Sequence, residues 1–152
     1  MKNLLTIVAF HLAFTSYLYP QFSLDKFLAL DWSHDENSIK KIYAKTTFER
    51  KEVMGHLGIN AVDTLDKFEI KFGFMFTKDN ILKGKSIVNR IEERAVAEKL
   101  FEYLTSKMTK KFGKDYKKTS AMGVRMHVWK ADKGEKIMLQ LIQSVCMLFI
   151  IK

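Results

Sequence analysis

From Phe68 to Phe76 the chain alternates without a break, with Phe68, Ile70, Phe72, Phe74 and Phe76 on one side and Glu69, Lys71, Gly73 and Met75 on the other. A sustained period of two predicts a strand with one apolar face. Lys78, Asp79 and Asn80 then make a turn, and the β-branched run around 81–91 returns as a second strand, so a hairpin is expected. Weaker strand signals lie near 46–54 and 57–61. Three closing strands are expected at 122–130, where Met122, Val124, Met126 and Val128 alternate, at 136–143, where Ile137, Leu139 and Leu141 do, and at 145–151. Asp132, Lys133 and Gly134 turn the first pair of these.

A longer period marks two helices. Ser33 with Glu36 three residues on is a capping-box pattern, Asp35 and Glu36 stand at the start against Lys40, Lys41 and Lys45 near the end, and Ile39, Ile42 and Tyr43 share a face. These predict a helix over about 34–45. Val96, Leu100, Leu104, Met108 and Phe112 recur every four residues between Glu92 and Gly113, which predicts a long helix ended by a glycine cap. Residues 24–30 read as a short lead-in. The expected fold is α+β: a two-layer arrangement whose antiparallel sheet has about five to seven strands, with one short and one long helix packed on one face. The phenylalanine side should meet the long helix and the lysine-bearing side should meet water.

The amino end carries a different pattern. Lys2 precedes the apolar run from Leu4 to Phe14, and Thr15 and Ser16 turn polar, the order of an export signal. Residues 1–23 are therefore expected to be a secretory signal peptide and 24–152 a single domain, located in the periplasm or secreted. Ala13-Phe14-Thr15 is the tolerable cleavage triplet nearby. The rival readings are an uncleaved segment that tethers the domain to a membrane, since no charge falls between Lys2 and Asp25, and the first element of a cytosolic fold. A span needs about 20 mostly apolar residues, and His11, Thr15, Ser16, Pro20, Gln21 and Ser23 interrupt this one.

Composition narrows the function. With 47% hydrophobic residues the chain can bury a core without a disulfide or metal, and Cys146, its single cysteine, allows no internal disulfide and sits in an apolar strand pattern. Four histidines without partner cysteines make no zinc pattern, so no metal or cofactor is expected. The net charge of +9 rests on 22 lysines against four arginines, Arg50, Arg90, Arg94 and Arg125. Readers of nucleic acid lean on the planar guanidinium, whereas lysine is a solvated point charge suited to diffuse attraction. For an exported domain this favours anionic lipid head groups, acidic polysaccharide or an acidic protein over nucleic acid.

Two groups of residues are candidates for binding. Lys107, Lys110, Lys111, Lys114, Lys117 and Lys118 crowd the end of the long helix and the segment after it, where an anionic surface could dock, although lysines at a helix carboxyl end also serve the dipole. Arg125, His127 and Trp129 share one side of a strand opposite Val124, Met126 and Val128; such a row could hold a sugar or an acidic group, or Trp129 could cover a neighbouring element. Other patterns have local explanations. His34, Asp35 and Glu36 are adjacent on a helix start and do not converge, Gly55, His56 and Gly58 form a turn and not a phosphate loop, and Ser144 lacks a nucleophile-elbow context.

Asp31-Trp32-Ser33 before the short helix with Ile39, the ending Lys110-Lys111-Phe112-Gly113-Lys114, and Trp129 before a lysine-containing turn and an apolar strand together resemble a scattered group of small exported bacterial α+β domains of unknown function. The resemblance spans most of 30–152. It implies a fold and a compartment and assigns no functional residue. The expected function is thus that of a non-catalytic exported binding domain engaging a protein or an anionic envelope component, with a small hydrolase assembled from distant residues as the alternative.

Overall fold

Ser23 accepts a hydrogen bond from the backbone N–H of Lys26 and so starts a helix, α1 (Leu24–Ala29), whose Leu24 and Phe27 are buried. A second short helix, α2 (Glu36–Ile42), is capped by Asp35, whose carboxylate accepts from Ser38 N at 2.7 Å and is held below the usual carboxylate range by its bonds to Ser38. The long helix, α3 (Arg94–Phe112), buries Ala97, Leu100, Phe101, Leu104 and Met108 along one stripe and ends at Gly113, whose φ of 90° only glycine adopts without strain. Among the described residues there are also eight strands: β1 (Glu49–Val53), β2 (His56–Leu65), β3 (Phe68–Phe76), β4 (Leu82–Asn89), β5 (Lys117–Ala121), β6 (Val124–Lys130), β7 (Lys136–Ile142) and β8 (Val145–Ile151). This computed structural model describes residues 21–53, 56–131 and 134–152. The leader pattern of 1–20 lies outside the described residues, as do Gly55 and, in the expected turn, Asp132 and Lys133. Among the described residues no helix is long and apolar enough to cross a membrane.

The strands form one antiparallel sheet in the order β1-β2-β3-β4-β8-β7-β6-β5. It consists of two four-stranded meanders, each preceded by helix, joined where β4 pairs with β8. Asn89 fastens this seam: its amide donates to Ile91 O (2.6 Å) and Ser144 O (2.9 Å), and its carbonyl accepts from Cys146 N (2.6 Å). The three helices lie against one face. Phe22, Phe27, Tyr43 and Phe48 pack on Phe72 and Phe74, while Phe101 of α3 meets His127.

The expected sheet of five to seven strands with one short and one long helix in two layers is corrected here to a single sheet of eight strands with three helices among the described residues. The additional helix escapes a periodicity reading because α1 is under two turns and shows its pattern only in Leu24 and Phe27. The additional strand, β5, is the sequence KKTSA and is exposed along its whole length, so it has no apolar alternation to find. Gly58, expected in a turn, lies inside β2, which begins at His56. The long helix also rests elsewhere than expected. It packs chiefly over β7 and β8, and the phenylalanine side of β3 is covered mainly by α1 and α2, with Phe68 reaching α3 through Tyr103.

Charged groups under the helices are matched. Glu36, 5% exposed, binds Lys40 at 2.7 Å and Arg50 at 2.9 Å, tying α2 to β1. Burial pushes its pKa up, but the two cations outweigh that and hold the carboxyl below its ordinary range. Lys26 donates to Ile42 O at 2.7 Å, closing the end of α2. Lys85, 3% exposed, directs its ammonium at Phe27 O, Leu28 O and Leu30 O (3.3–3.4 Å), the open carbonyls at the end of α1, and lies 4.6 Å from the Trp32 ring centroid. Trp32 in turn donates to Glu135 at 2.6 Å.

Candidate binding face

Residues directly opposite in an antiparallel sheet share a face, so the register sorts every strand position. Along one side run Trp129, Ile137, Ile150, Lys85, Phe74 and Ile59, and beside them His127, Leu139, Leu148, Ile87, Phe72 and Ala61; this side is under the helices. The other side has no element over it among the described residues. Its rows run Lys117, Val128, Met138, Phe149, Ser86, Gly73 and Asn60, then Met126, Gln140, Met147, Val88, Lys71 and Val62. A third row begins with the cross-strand pair Lys130 and Lys136 and continues through Ile151, Gly84, Met75 and Gly58 to Lys51.

A sheet face turned to water ordinarily carries polar side chains. Here its centre, over β6, β7, β8 and β4, is Val128, Met126, Met138, Met147, Phe149 and Val88, all half-buried. Gln140 sits among them and directs its amide at the sulfur atoms of Met126 (3.4 Å) and Met138 (3.5 Å). Methionine sulfur and unbranched chains make such a surface able to repack against varied apolar shapes. Lysines flank it on both sides: Lys117, Lys130 and Lys136 towards the β5 edge, and Lys71 and Lys51 towards the β1 edge. Two acidic groups share the face, Glu49 opposite Asn60, and Glu69, which is bound to Arg90 at 3.2 Å.

Between the apolar centre and the β1 side a trough of about 280 Å³ crosses β2, β3 and β4. Gly58, Gly73, Gly84 and Ser86 lie along its floor with Met75, which the register sets between Gly58 and Gly84; Phe149 and Ile151 close the β8 end, Lys51 the β1 end, and Lys71 stands beside its cross-strand partner Val88.

The residues expected to bind are dispersed by this arrangement. Lys107, Lys110 and Lys111 are in the last turns of α3, with the Lys107 ammonium 5.2 Å from the Tyr103 ring centroid. Lys114 comes just after the helix cap, Lys117 belongs to the uncovered face, and Lys118 lies on the helix side with its ammonium 5.0 Å from the Tyr116 ring centroid. Arg125, His127 and Trp129 do share a side, and it is the side under α3. The Arg125 guanidinium stacks on Phe101 and lies 3.7 Å from Glu98. Trp129 is fully buried and stacks on Tyr116 at 4.5 Å. His127 is enclosed by Phe101, Tyr116 and Trp129, with Nδ1 3.2 Å from Thr105 Oγ1. The signal for the uncovered face was the run Val145–Ile151, apolar at every position, which is how a strand buried on both sides reads.

Burial, helped by Lys118 and Arg125, holds the pKa of His127 below its ordinary 6.5. An unfolded chain then takes up this proton before the folded one, so stability should fall as the pH drops below about 6.5. His127→Leu is expected to remove that part of the acid-side loss, read from urea midpoints between about pH 7 and 4.5.

Elsewhere, ionisable groups serve the fold. His34 Nδ1 is 2.8 Å from Asp31 O, and the buried Cys146 thiol is pushed up to about 12 by its surroundings, leaving it protonated. Among the described residues no cluster of histidine, cysteine or carboxylate side chains could hold a metal ion. The chain matches no protein-family model, and neither the curated proteins nor the solved structures include a match to it.

Proposed function

We propose that this is a non-catalytic binding domain that engages an anionic, amphiphilic envelope component through the uncovered face of its sheet, with export placing it in the periplasm or outside the cell. The observation that carries this reading is the apolar centre of Met126, Met138, Met147, Phe149 and Val88 flanked by lysines on both sides. Apolar area drives association at roughly 25 cal/mol per Å² removed from water, and the lysines select the sign of what arrives. The uncovered face supports the reading better than the end of α3, whose lysines are divided between helix, link and both sides of β5.

Sedimentation with lipid vesicles tests it. Vesicles containing phosphatidylglycerol should carry the protein down, phosphatidylcholine vesicles should not, and binding should weaken as salt rises. Met147→Asp is expected to reduce the binding at least tenfold with circular dichroism unchanged. Equal binding to both vesicle types, or full binding by the variant, would remove the support.

A further inference from the structure

We infer that the trough across β2, β3 and β4 is a site for a single-chain anionic lipid, with the hydrocarbon chain on the glycine floor and the carboxylate between Lys51 and Lys71. This rests on the binding reading above and names the ligand and its seat.

The glycines are the first argument. Gly58, Gly73 and Gly84 all lie inside strands with ordinary negative or extended backbone angles, so no turn or left-handed conformation calls for them. A strand-interior glycine costs about 0.5–1 kcal/mol relative to alanine and gives up a side chain that would pack. Three of them gather on one side of three adjacent strands. A Cβ at Gly73 would come within 3.1 Å of Ile59 O and 3.3 Å of Asn60 Cβ, and one at Gly84 within 3.0 Å of Met75 Cε. Side chains at Gly58 or Gly73 would fill the depression, whereas at Gly84 the flexible end of Met75 already lies over the backbone and has to swing aside for a ligand.

Charge and shape choose the occupant. Phe149, Ile151 and Val88 offer apolar side chains, and Lys51 and Lys71 are exposed and, among the described residues, in no ion pair. A second copy of the chain would bring the same net positive charge and the same lysines against them. A helix, about 10–12 Å across, is too bulky for a trough of about 280 Å³. A flexible acyl chain with one anionic end satisfies the apolar side chains and the lysines together.

Isothermal titration with laurate, kept below its micelle concentration, is the test, with dodecyl maltoside as the uncharged probe of equal chain length. Laurate should bind one to one and at least tenfold tighter than the maltoside. Lys51→Glu with Lys71→Glu should weaken laurate at least tenfold and leave the maltoside within twofold. Gly84→Val, whose Cβ presses hardest on the flexible end of Met75, should weaken both ligands, and Ser86→Leu provides the same block should that variant fold poorly. Laurate binding untouched by these changes would place the site elsewhere and overturn the inference. Absence of laurate binding with phosphatidylglycerol vesicles still bound would overturn the inference alone; loss of both would take the binding reading with it. A concentration-dependent dimer that takes up no laurate would assign the face to a second copy and overturn it as well.

Discussion

Trp129→Ala should lower the unfolding free energy by about 3–5 kcal/mol, the usual cost of emptying a large aromatic site. Its ring is fully buried, stacks on Tyr116 at 4.5 Å with an interplanar angle of 26°, meets the edge of His127, and lies in line with Ile137, Ile150 and Phe74 across the sheet. Little around it can collapse, because its neighbours are held by strand pairing and by α3 above. Trp129→Phe is a more delicate probe. The indole N–H is buried without an acceptor among the described residues, so phenylalanine gives up volume and also removes an unsatisfied donor. The phenylalanine variant should therefore lose less than about 1.5 kcal/mol. Urea unfolding of the two variants separates the roles: a loss under about 1 kcal/mol for alanine would mean that Trp129 is not a core residue.

Stability should rise by on the order of 3 kcal/mol as the pH goes from about 8 to 10.5, and Lys85→Met should abolish that rise. Burial lowers the pKa of Lys85 from 10.5 to about 8, against the attraction of Glu135 and Asp31. Between those two values the unfolded chain binds a proton that the folded chain has released, so the folded state gains with increasing pH, at about 1.36 kcal/mol for each unit of separation. Below about pH 8 both states are protonated and the cost of burying the charge is constant. The ammonium persists there because the Phe27, Leu28 and Leu30 carbonyls and the Trp32 ring receive it. The quantity to measure is the difference between wild type and Lys85→Met across a pH series of denaturant curves. Parallel curves for the two proteins would show that Lys85 keeps an ordinary affinity for its proton.

Strong alternation carried most of the secondary structure. The nine residues Phe68–Phe76 form β3 as expected, Val145–Ile151 forms β8, and the long helix ends at Gly113. What failed were elements whose pattern is too short or too polar to register: α1 with its two buried residues, and β5, paired only with β6 and exposed throughout. Strand order was not legible, because the seam between β4 and β8 joins residues such as Val88 and Met147 that are far apart in the chain. The side of β6 carrying Arg125, His127 and Trp129 was legible as a side, yet only the register and the place of α3 reveal that helix covers it. Conversely, Lys71 and Gly73 appear in the sequence as the watery side of β3. Their meaning changes once β4 and β8 set Val88 and Phe149 beside them.

The outermost strands bear on how this chain behaves at high concentration. β1 is ERKEV and β5 is KKTSA, so each free edge is short and carries lysine or arginine. An unpaired edge is a template for another strand, and charges placed there oppose such addition. Ribbon growth, strand upon strand, is thereby discouraged at both ends of the sheet. Whatever self-association the apolar face permits should stop at closed pairs, and the protein should resist fibril formation under conditions where its lysines stay charged.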